Sequence, residues 1–473
     1  MTYYLAVDLG TTGCRSIIFD EKTNICASSY EEYALVTERE GYAEQDALDW
    51  WRLTLSTARA AIQKSGIDPL AIKSIGVSSQ GITVVPVDEK IEPLRPALTW
   101  LDLRATEETA RIRRDFGERL FEITGKPTEP DYTLPKILWL MENEPEIYNR
   151  AYKLLLPSDF LVARLTGGVC VTDESMASGT LMYDLAGGKW CSEILEKYGI
   201  DENKLSSVRP AAECAGRVCP EAARALGLSP ECRVAVSAQD QKCAAYGVGL
   251  DFGSMTVSLG TAAAVTKLWD EPKTRESRAV GWCGYVKTGL YVTEGVIDTA
   301  ATCLRYVRDL LFAGLDYDEI NKEALAARER GSSLLFFPYL AEGRGGFVGV
   351  SLASVRGDYA LSVMEGVAFR LRSLLAAMDA YGSVSRLILF GGGAKGELWC
   401  QIIADVTGMT IAVPNTTEAA GAGAARLAAD AVGDSLPPLE IARVYEPGER
   451  VDYYREKYER YIKTEKRLFE EEN

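Results

Sequence analysis

The 473-residue chain contains no histidine. No side chain therefore has an ordinary pKa near neutrality. Ser-His-Asp and Cys-His catalysis, His-ligated zinc and His phospho-carriers are excluded, so any general base is a carboxylate, Lys, Tyr or Cys. A C-x-x-C motif is also missing: the 11 cysteines are scattered and odd in number, which implies neither a disulfide framework nor a thiolate metal cage. No apolar run approaches the ~18 residues of a membrane span, and MTYYLAVDLG lacks a basic n-region or cleavage site. Reduced thiols without an export signal lead to the expectation of a cytoplasmic protein. Positive charge is in short supply, with Lys plus Arg 52 against Asp plus Glu 68 and a formal charge of −16. Such a surface repels phosphate backbones and anionic lipid, so nucleic acid and membranes are not expected partners.

What is present is ordinary globular material, 47% hydrophobic and 25% charged, enough for two or three domains. Tyr3 to Val7 reads as a strand that turns at Gly10-Thr11-Thr12-Gly13 and returns as Ser16 to Phe19. A second segment repeats this hairpin 250 residues later, with Val7/Val257, Leu9/Leu259, Gly10/Gly260, Thr11/Thr261 and Asp20/Asp270 identical. A repeat that long predicts two similar domains, each opening with the same hairpin. The pattern also predicts helices over 47–64, 359–381 and 417–431 and strands over 72–78 and 386–390, an α/β alternation. Predicted bounds are 1–248, 249–436 and a charged terminal helix over 437–473, in which Tyr454, Tyr458, Tyr461 and Leu468 share a packing face.

Five patterns could carry chemistry. Asp8 precedes the Gly/Thr tip D-L-G-T-T-G, where glycines admit phosphate oxygens to backbone amides and a carboxylate can hold hydrated Mg²⁺; a capped hairpin turn is the alternative. The second tip, at Gly260 and Thr261, lacks the carboxylate and would serve phosphates only. Leu387 to Phe390 followed by Gly391, Gly392, Gly393 and Ala394 is a strand, a Gly-rich turn and a helix start, suited to a flat base or a phosphate, or simply to a βα turn. Asp240 ends the small apolar strand V-A-V-S-A-Q and is placed either to accept a proton from a hydroxyl or to cap the next helix. Trp100 and Asp102, with Ser79-Gln80-Gly81, form a polar slot with one flat wall, which suits a polyol; an Asp102–Arg104 salt link is the plainer reading.

In their order along nearly the whole chain, these pieces resemble the FGGY family of carbohydrate kinases, within the wider sugar kinase, heat-shock chaperone and actin fold. The resemblance also rests on G-Y-A-E-Q-D-A-L-D-W-W (41–51), W-L-D-L-R (100–104), L-P-K-I-L-W (134–139), G-G-F-V-G-V through S-V-M-E-G (345–366) and F-G-G-G-A-K (390–395). It implies two actin-like (ribonuclease H-like) α/β domains around a central nucleotide and sugar cleft, and transfer of the γ-phosphoryl of ATP to a sugar hydroxyl. By that resemblance Asp240 is the general base and Asp8 places Mg²⁺. Gln80, Trp100, Asp102 and Gln241 meet the sugar together with Asp240. Thr11, Thr12, Gly260 and Thr261 hold phosphates, while Gly392, Gly393, Ala394, Ala301 and Arg305 border the nucleotide. A homodimer is the assembly seen among relatives. The xylulokinase-like branch is nearest in its motifs and points to a ketopentose such as xylulose. Yet Gly81-Ile82 follows Gln80 where xylulokinases commonly carry Met-His, and glycerol kinases Arg-Glu. Ribulose, erythritol and gluconate therefore stay open as acceptors, and an actin-like ATPase without a sugar acceptor is the rival of a different class.

Overall fold

A computed structural model describes residues 1–276, 278 and 280–469. They form two compact units, one built from Met1–Gly249, Trp269–Thr293 and Glu418–Leu439, the other from Leu250–Leu268, Glu294–Thr417 and Glu440 onward.

In the first unit β1 (Tyr3–Leu9), β2 (Gly13–Asp20) and β3 (Ile25–Glu32) form an antiparallel meander. Helix α1 (Ala47–Ser65) is capped by the Asp46 carboxylate on the Leu48 N–H and stopped by Gly66 in the left-handed region. It returns the chain to β4 (Ile72–Ser79), which lies parallel to β1. With β5 (Cys214–Arg217) and β6 (Arg233–Ala235) the order is β5-β6-β4-β1-β2-β3, and α2 (Asp240–Gly247) follows. The faces explain the pairing. Leu5, Val7, Leu9, Ile75 and Val77 are fully buried, and α1 lays Trp50, Leu53, Ala58 and Ala61 into the same core. On the other face the alanine-rich helix Ala419–Asp430 approaches so closely that a Cβ on Gly423 would stand 1.8 Å from the Cys243 carbonyl oxygen. A Cβ on Gly76 would stand 2.0 Å from the Ala424 carbonyl oxygen. These glycines are required by backbone contact.

The second unit repeats the scheme. Its β7 (Ser254–Leu259) and β8 (Ala263–Trp269) form an antiparallel hairpin, as β1 and β2 do. After α3 (Ala301–Leu311), α4 (Tyr317–Arg330) and α5 (Arg356–Ala377), strand β9 (Arg386–Phe390) runs parallel to β7, as β4 does to β1. Helix α6 (Glu397–Thr407), β10 (Thr410–Pro414), β11 (Ile441–Tyr445) and α7 (Val451–Phe469) follow, and from β8 onward the seven-stranded sheet runs β8-β7-β9-β10-β11. The 250-residue offset thus maps one hairpin on the other. Helix α5 buries Leu361, Met364, Ala368, Leu371 and Leu375 but ends at Ala377, with Met378 as its cap, short of the expected Tyr381. On α7, Tyr454 and Tyr461 are fully buried against Phe369, whereas Leu468 is 44% exposed and leaves the expected face.

One buried carboxyl of the first unit gives a stability test. Asp159 is 1% exposed, and burial pushes it up to about 7. Its folded pKa lies above the ordinary value of ~3.9, so the folded state keeps a proton that the unfolded chain releases. Stability is then lost as pH rises from about 4 to 7. Asp159→Asn is expected to flatten this slope and raise the unfolding midpoint at pH 8 by several degrees, with little effect at pH 4, in calorimetry. An unchanged slope would show that Asp159 ionises freely in the folded state.

Candidate active site

Parallel strands place their C-terminal ends side by side, the edge where open α/β sheets bind ligands. In the first unit Leu9 pairs with Ser79, and Ser79 with Gln239 of the short strand Ala238–Gln239. This register brings Asp8, the Gln80-Gly81 turn and Asp240 to one edge. The strand of Asp8 and the short strand before Asp240 are two strand spacings apart, about 10 Å, and Asp240 lies two residues beyond Ala238, the residue level with Asp8.

Around Asp8 the groups suit a cation. Ser78 Oγ donates to Asp8 Oδ1 at 2.9 Å. Burial pushes the carboxyl up to about 6, and the Ser78 hydrogen bond and Arg15 oppose the rise. The hairpin register sets Arg15 directly across from Asp8, where it pairs with Glu418 at 2.5 Å. Arg15 was not singled out from sequence, although a hairpin closed at Gly10–Gly13 fixes that pairing. The tip is held from two sides. Tyr33 donates its hydroxyl to the Gly10 carbonyl and its N–H to the Thr12 carbonyl. The Gln45 side chain donates to the Thr11 carbonyl at 2.7 Å.

Gln45 also accepts from Gln80 Nε2 at 2.9 Å, and Trp100 Nε1 donates to Thr11 Oγ1 at 2.9 Å. The Gly10–Gly13 tip and the loops of Gln80 and Trp100 are therefore one hydrogen-bonded body. Gln80 Oε1 is buried with no hydrogen-bond partner among the described residues. Trp100 is 37% exposed and offers the flat wall. Asp102 has no exposed surface. Its carboxylate takes the Ala43 N–H at 2.7 Å and the Arg104 Nε and Nη2 at 2.8 and 2.7 Å, so the salt-link reading describes its contacts. Arg104 in turn pairs with Glu44 and lies 3.7 Å over the Tyr42 ring. The motifs at 41–45 and 100–104 together brace the loop that carries Trp100.

Asp240 does not cap its helix. That position belongs to Gln239, whose Oε1 accepts from the Gln241 N–H at 2.9 Å, and Asp240 is the first helical residue. Its Oδ1 accepts from the Gln241 N–H at 2.6 Å and from Gln239 Nε2. Beneath the slot, Lys136 is fully buried and donates to the carbonyls of Thr99 at 2.7 Å and Ile82 at 3.4 Å; burial pulls it down to about 7.

In the second unit a cavity of about 480 Å³ is lined by Thr261, Ala301, Arg305, Gly392 and Gly393, all expected, and by Thr302, Tyr317, Asn321, Lys395 and Trp399, which were not. Its size suits a nucleoside. Gly260 closes the tip by donating to the Ala262 carbonyl at 3.0 Å, and its own carbonyl accepts from Ala301, which seats α3. Ala394 is buried and lines a neighbouring groove with Arg443. Tyr317 and Asn321 lie one turn apart on α4, a pairing that a helical pattern alone does not assign to a cavity. Gly391 has φ +91, and a Cβ there would stand 2.9 Å from the Leu259 carbonyl oxygen. Gly391→Ala is expected to cost roughly 1–3 kcal/mol and to weaken nucleotide binding by shifting Gly392 and Gly393. Titration calorimetry with a nucleoside triphosphate reads this, and wild-type affinity would exclude the turn from the site.

Duplicated ribonuclease H-like units, one with two carboxylates at a strand edge and one with a nucleoside-sized cavity beside a phosphate-type hairpin, define a phosphotransferase. Models of the FGGY family of carbohydrate kinases match the chain, the N-terminal domain over residues 3–247 and the C-terminal domain over 255–432; the chain belongs to this family. It is 31% identical to a xylulose kinase of Lactococcus lactis over 94% of this chain and 91% of that one. It is 29% identical to a gluconokinase of Bacillus subtilis over 91% and 88%. Among solved structures, a xyloylose kinase from Brucella ovis superposes with a TM-score of 0.87 at 30% identity, covering 98% of each chain. Among the described residues no helix is long and apolar enough to cross a membrane.

Proposed function

We propose that this carbohydrate kinase transfers the γ-phosphoryl of ATP to a hydroxyl of a ketopentose such as xylulose. The observation that carries this reading is the strand register that brings Asp8, Gln80 and Asp240 to the C-terminal edge of one sheet. Asp240, fixed by two N–H donors on Oδ1, accepts the proton of the attacking hydroxyl. The acceptor lies against Trp100, whose loop Asp102 braces, with Gln80 and Gln241 supplying polar contacts. Thr11 and Thr12 on one hairpin, and Thr261 on the other, donate to phosphate oxygens, and Gly260 shapes the second tip by closing on the Ala262 carbonyl. The nucleoside occupies the cavity of Ala301, Arg305, Gly392 and Gly393, with Ala394 in the groove beside it.

A Mg²⁺ ion fits at Asp8. Among the described residues no group of three or more Cys, Asp or Glu could hold a metal alone, and one carboxylate plus phosphates is the usual way this ion is held. When bound, it neutralises charge on the transferring phosphoryl group. Asp8 supplies the carboxylate, and Ser78 keeps it oriented.

Similarity to xylulose kinases supports the ketopentose, while Gly81-Ile82 beside Gln80 favours keeping a second acceptor class, another polyol or a sugar acid. Coupled ADP release over ketoses, polyols and aldonates with Mg²⁺ decides. Turnover highest with xylulose is expected; preference for an aldonate would move the chain to the second class. Sugar-independent hydrolysis throughout would replace both with an ATPase.

A further inference from the structure

The turn after Gln80 is shaped unlike an ordinary strand end. Ile82 holds φ +68, a left-handed conformation that a β-branched residue adopts at a cost of about 1–3 kcal/mol. It persists because its carbonyl is gripped by Thr133 Oγ1 at 2.7 Å and by Lys136, while the Thr83 N–H closes on the Gly81 carbonyl at 2.7 Å. Gly81, by contrast, is not left-handed, so its backbone would accept a side chain. What stands in the way is a single residue. The three atoms nearest to a Cβ at position 81 all belong to the Gln239 side chain, with Cγ at 3.1 Å and Nε2 at 3.8 Å.

Gln239 therefore fills the space where a side chain at 81 would lie, and the same side chain reaches Asp240. Its Nε2 donates to Asp240 Oδ1, its Oε1 takes the Gln241 N–H at 2.9 Å, and its own N–H is held by Ser175 Oγ at 3.0 Å. We infer that Gln239 is a positioning residue that couples the shape of the acceptor slot at Gly81 to the orientation of the Asp240 carboxylate. A ligand or side chain that presses on Gln239 turns the base, and one that leaves it seated keeps the base aimed. Selectivity is then exerted on kcat as well as on KM, since misplacement of a reacting group by about 1 Å costs up to ~100-fold in rate. The inference rests on Asp240 acting as the base.

Two variants separate the clamp from the helix cap. Gln239→Glu keeps an acceptor for the Gln241 N–H but replaces the donor to Asp240 with a second carboxylate oxygen. Gln239→Met keeps the packing over Gly81 and removes both hydrogen bonds. With saturating ATP, Mg²⁺ and the sugar that gives most turnover in the ADP-release panel, both are expected to lower kcat by about 10- to 100-fold and leave acceptor KM within about threefold. A residue that merely caps the helix predicts wild-type kcat for Gln239→Glu, and that result overturns the proposal. Gly81→Met is expected to lower kcat in the wild-type background and to lose most of that effect in Gln239→Gly. Effects that multiply independently also overturn it. Melting temperatures of the same four proteins, wild type, both single variants and the double, read the contact without turnover: non-additive shifts support it and additive ones refute it. Asp240→Asn serves as control. If it keeps full turnover, the base assignment fails; if it is inactive while Gln239→Glu and Gln239→Met are wild type, only the role of Gln239 fails.

Discussion

Asp240→Asn is expected to lower sugar-dependent ADP release by about 10²–10⁴-fold while nucleotide affinity stays within about twofold of wild type. The magnitude is that of removing a positioned general base, because the amide cannot take the hydroxyl proton. Little else should move. Asn matches the carboxylate in size, and its side-chain oxygen can still accept from the Gln241 N–H that now meets Asp240 Oδ1 at 2.6 Å. The cavity of Ala301, Arg305 and Gly392 belongs to the second unit, whereas Asp240 belongs to the first. Steady-state rates and calorimetric titration with a nucleotide check the two halves of the statement. A variant that turns over at the wild-type rate would remove Asp240 from the chemistry.

Lys457→Met is expected to give the largest loss of stability, about 3–5 kcal/mol in the second unit, because it strands a buried charge. Lys457 on α7 is 5% exposed and meets Glu365 of α5, 1% exposed, at 2.5 Å; it also donates to the Ser332 carbonyl at 2.8 Å. Burial already pushes the Glu365 carboxyl above its ordinary range, and Lys457 is the chief opposing influence. Without the amine, Glu365 stays protonated in the folded state to still higher pH. The unfolded chain gives up that proton near pH 4, so the penalty is small in acid and grows as pH rises. Calorimetry of Lys457→Met at pH 5 and pH 8 is expected to show the greater drop in unfolding temperature at pH 8. Glu365→Leu in the same chain should recover most of it, since an apolar pair of similar volume avoids the desolvation cost. Equal losses at both pH values would mean that Glu365 is not ionised in the native protein.

Much of this architecture is written in local pattern. The L-G-T tips recur at a 250-residue offset because both must turn a strand within four residues, and a single sequence shows such repetition directly. The helix over 47–65 follows from its apolar stripe and the stop at Gly66, and the strand over 72–79 from Ile72, Ile75 and Val77. The slot was less legible. Asp102 stands beside Trp100 in sequence as though both faced a ligand, yet the turn buries the carboxylate under Arg104 and Ala43 and exposes only the indole. Gln45 and Gln239 carried no signal of their own, because their partners, Thr11, Gln80 and Asp240, are set by strand register and by the packing of loops distant in sequence. The inner wall of the nucleoside cavity hid for a similar reason. A helical repeat tells that α4 has an apolar face but not that Tyr317 and Asn321, at the margin of that face, border a cavity.

The absence of histidine now has a physical counterpart. The candidate base, the candidate metal ligand and the groups that orient them are carboxylates, amides and hydroxyls, which is sufficient for a loose phosphoryl transfer that relies on positioning and charge neutralisation. The most direct measurement is the fate of the γ-phosphoryl group. Incubation with ATP, Mg²⁺ and xylulose, followed by ³¹P NMR, should show a sugar phosphate ester growing in step with ADP and no comparable release of inorganic phosphate. ADP accompanied by inorganic phosphate alone, with every sugar tried, would contradict the account.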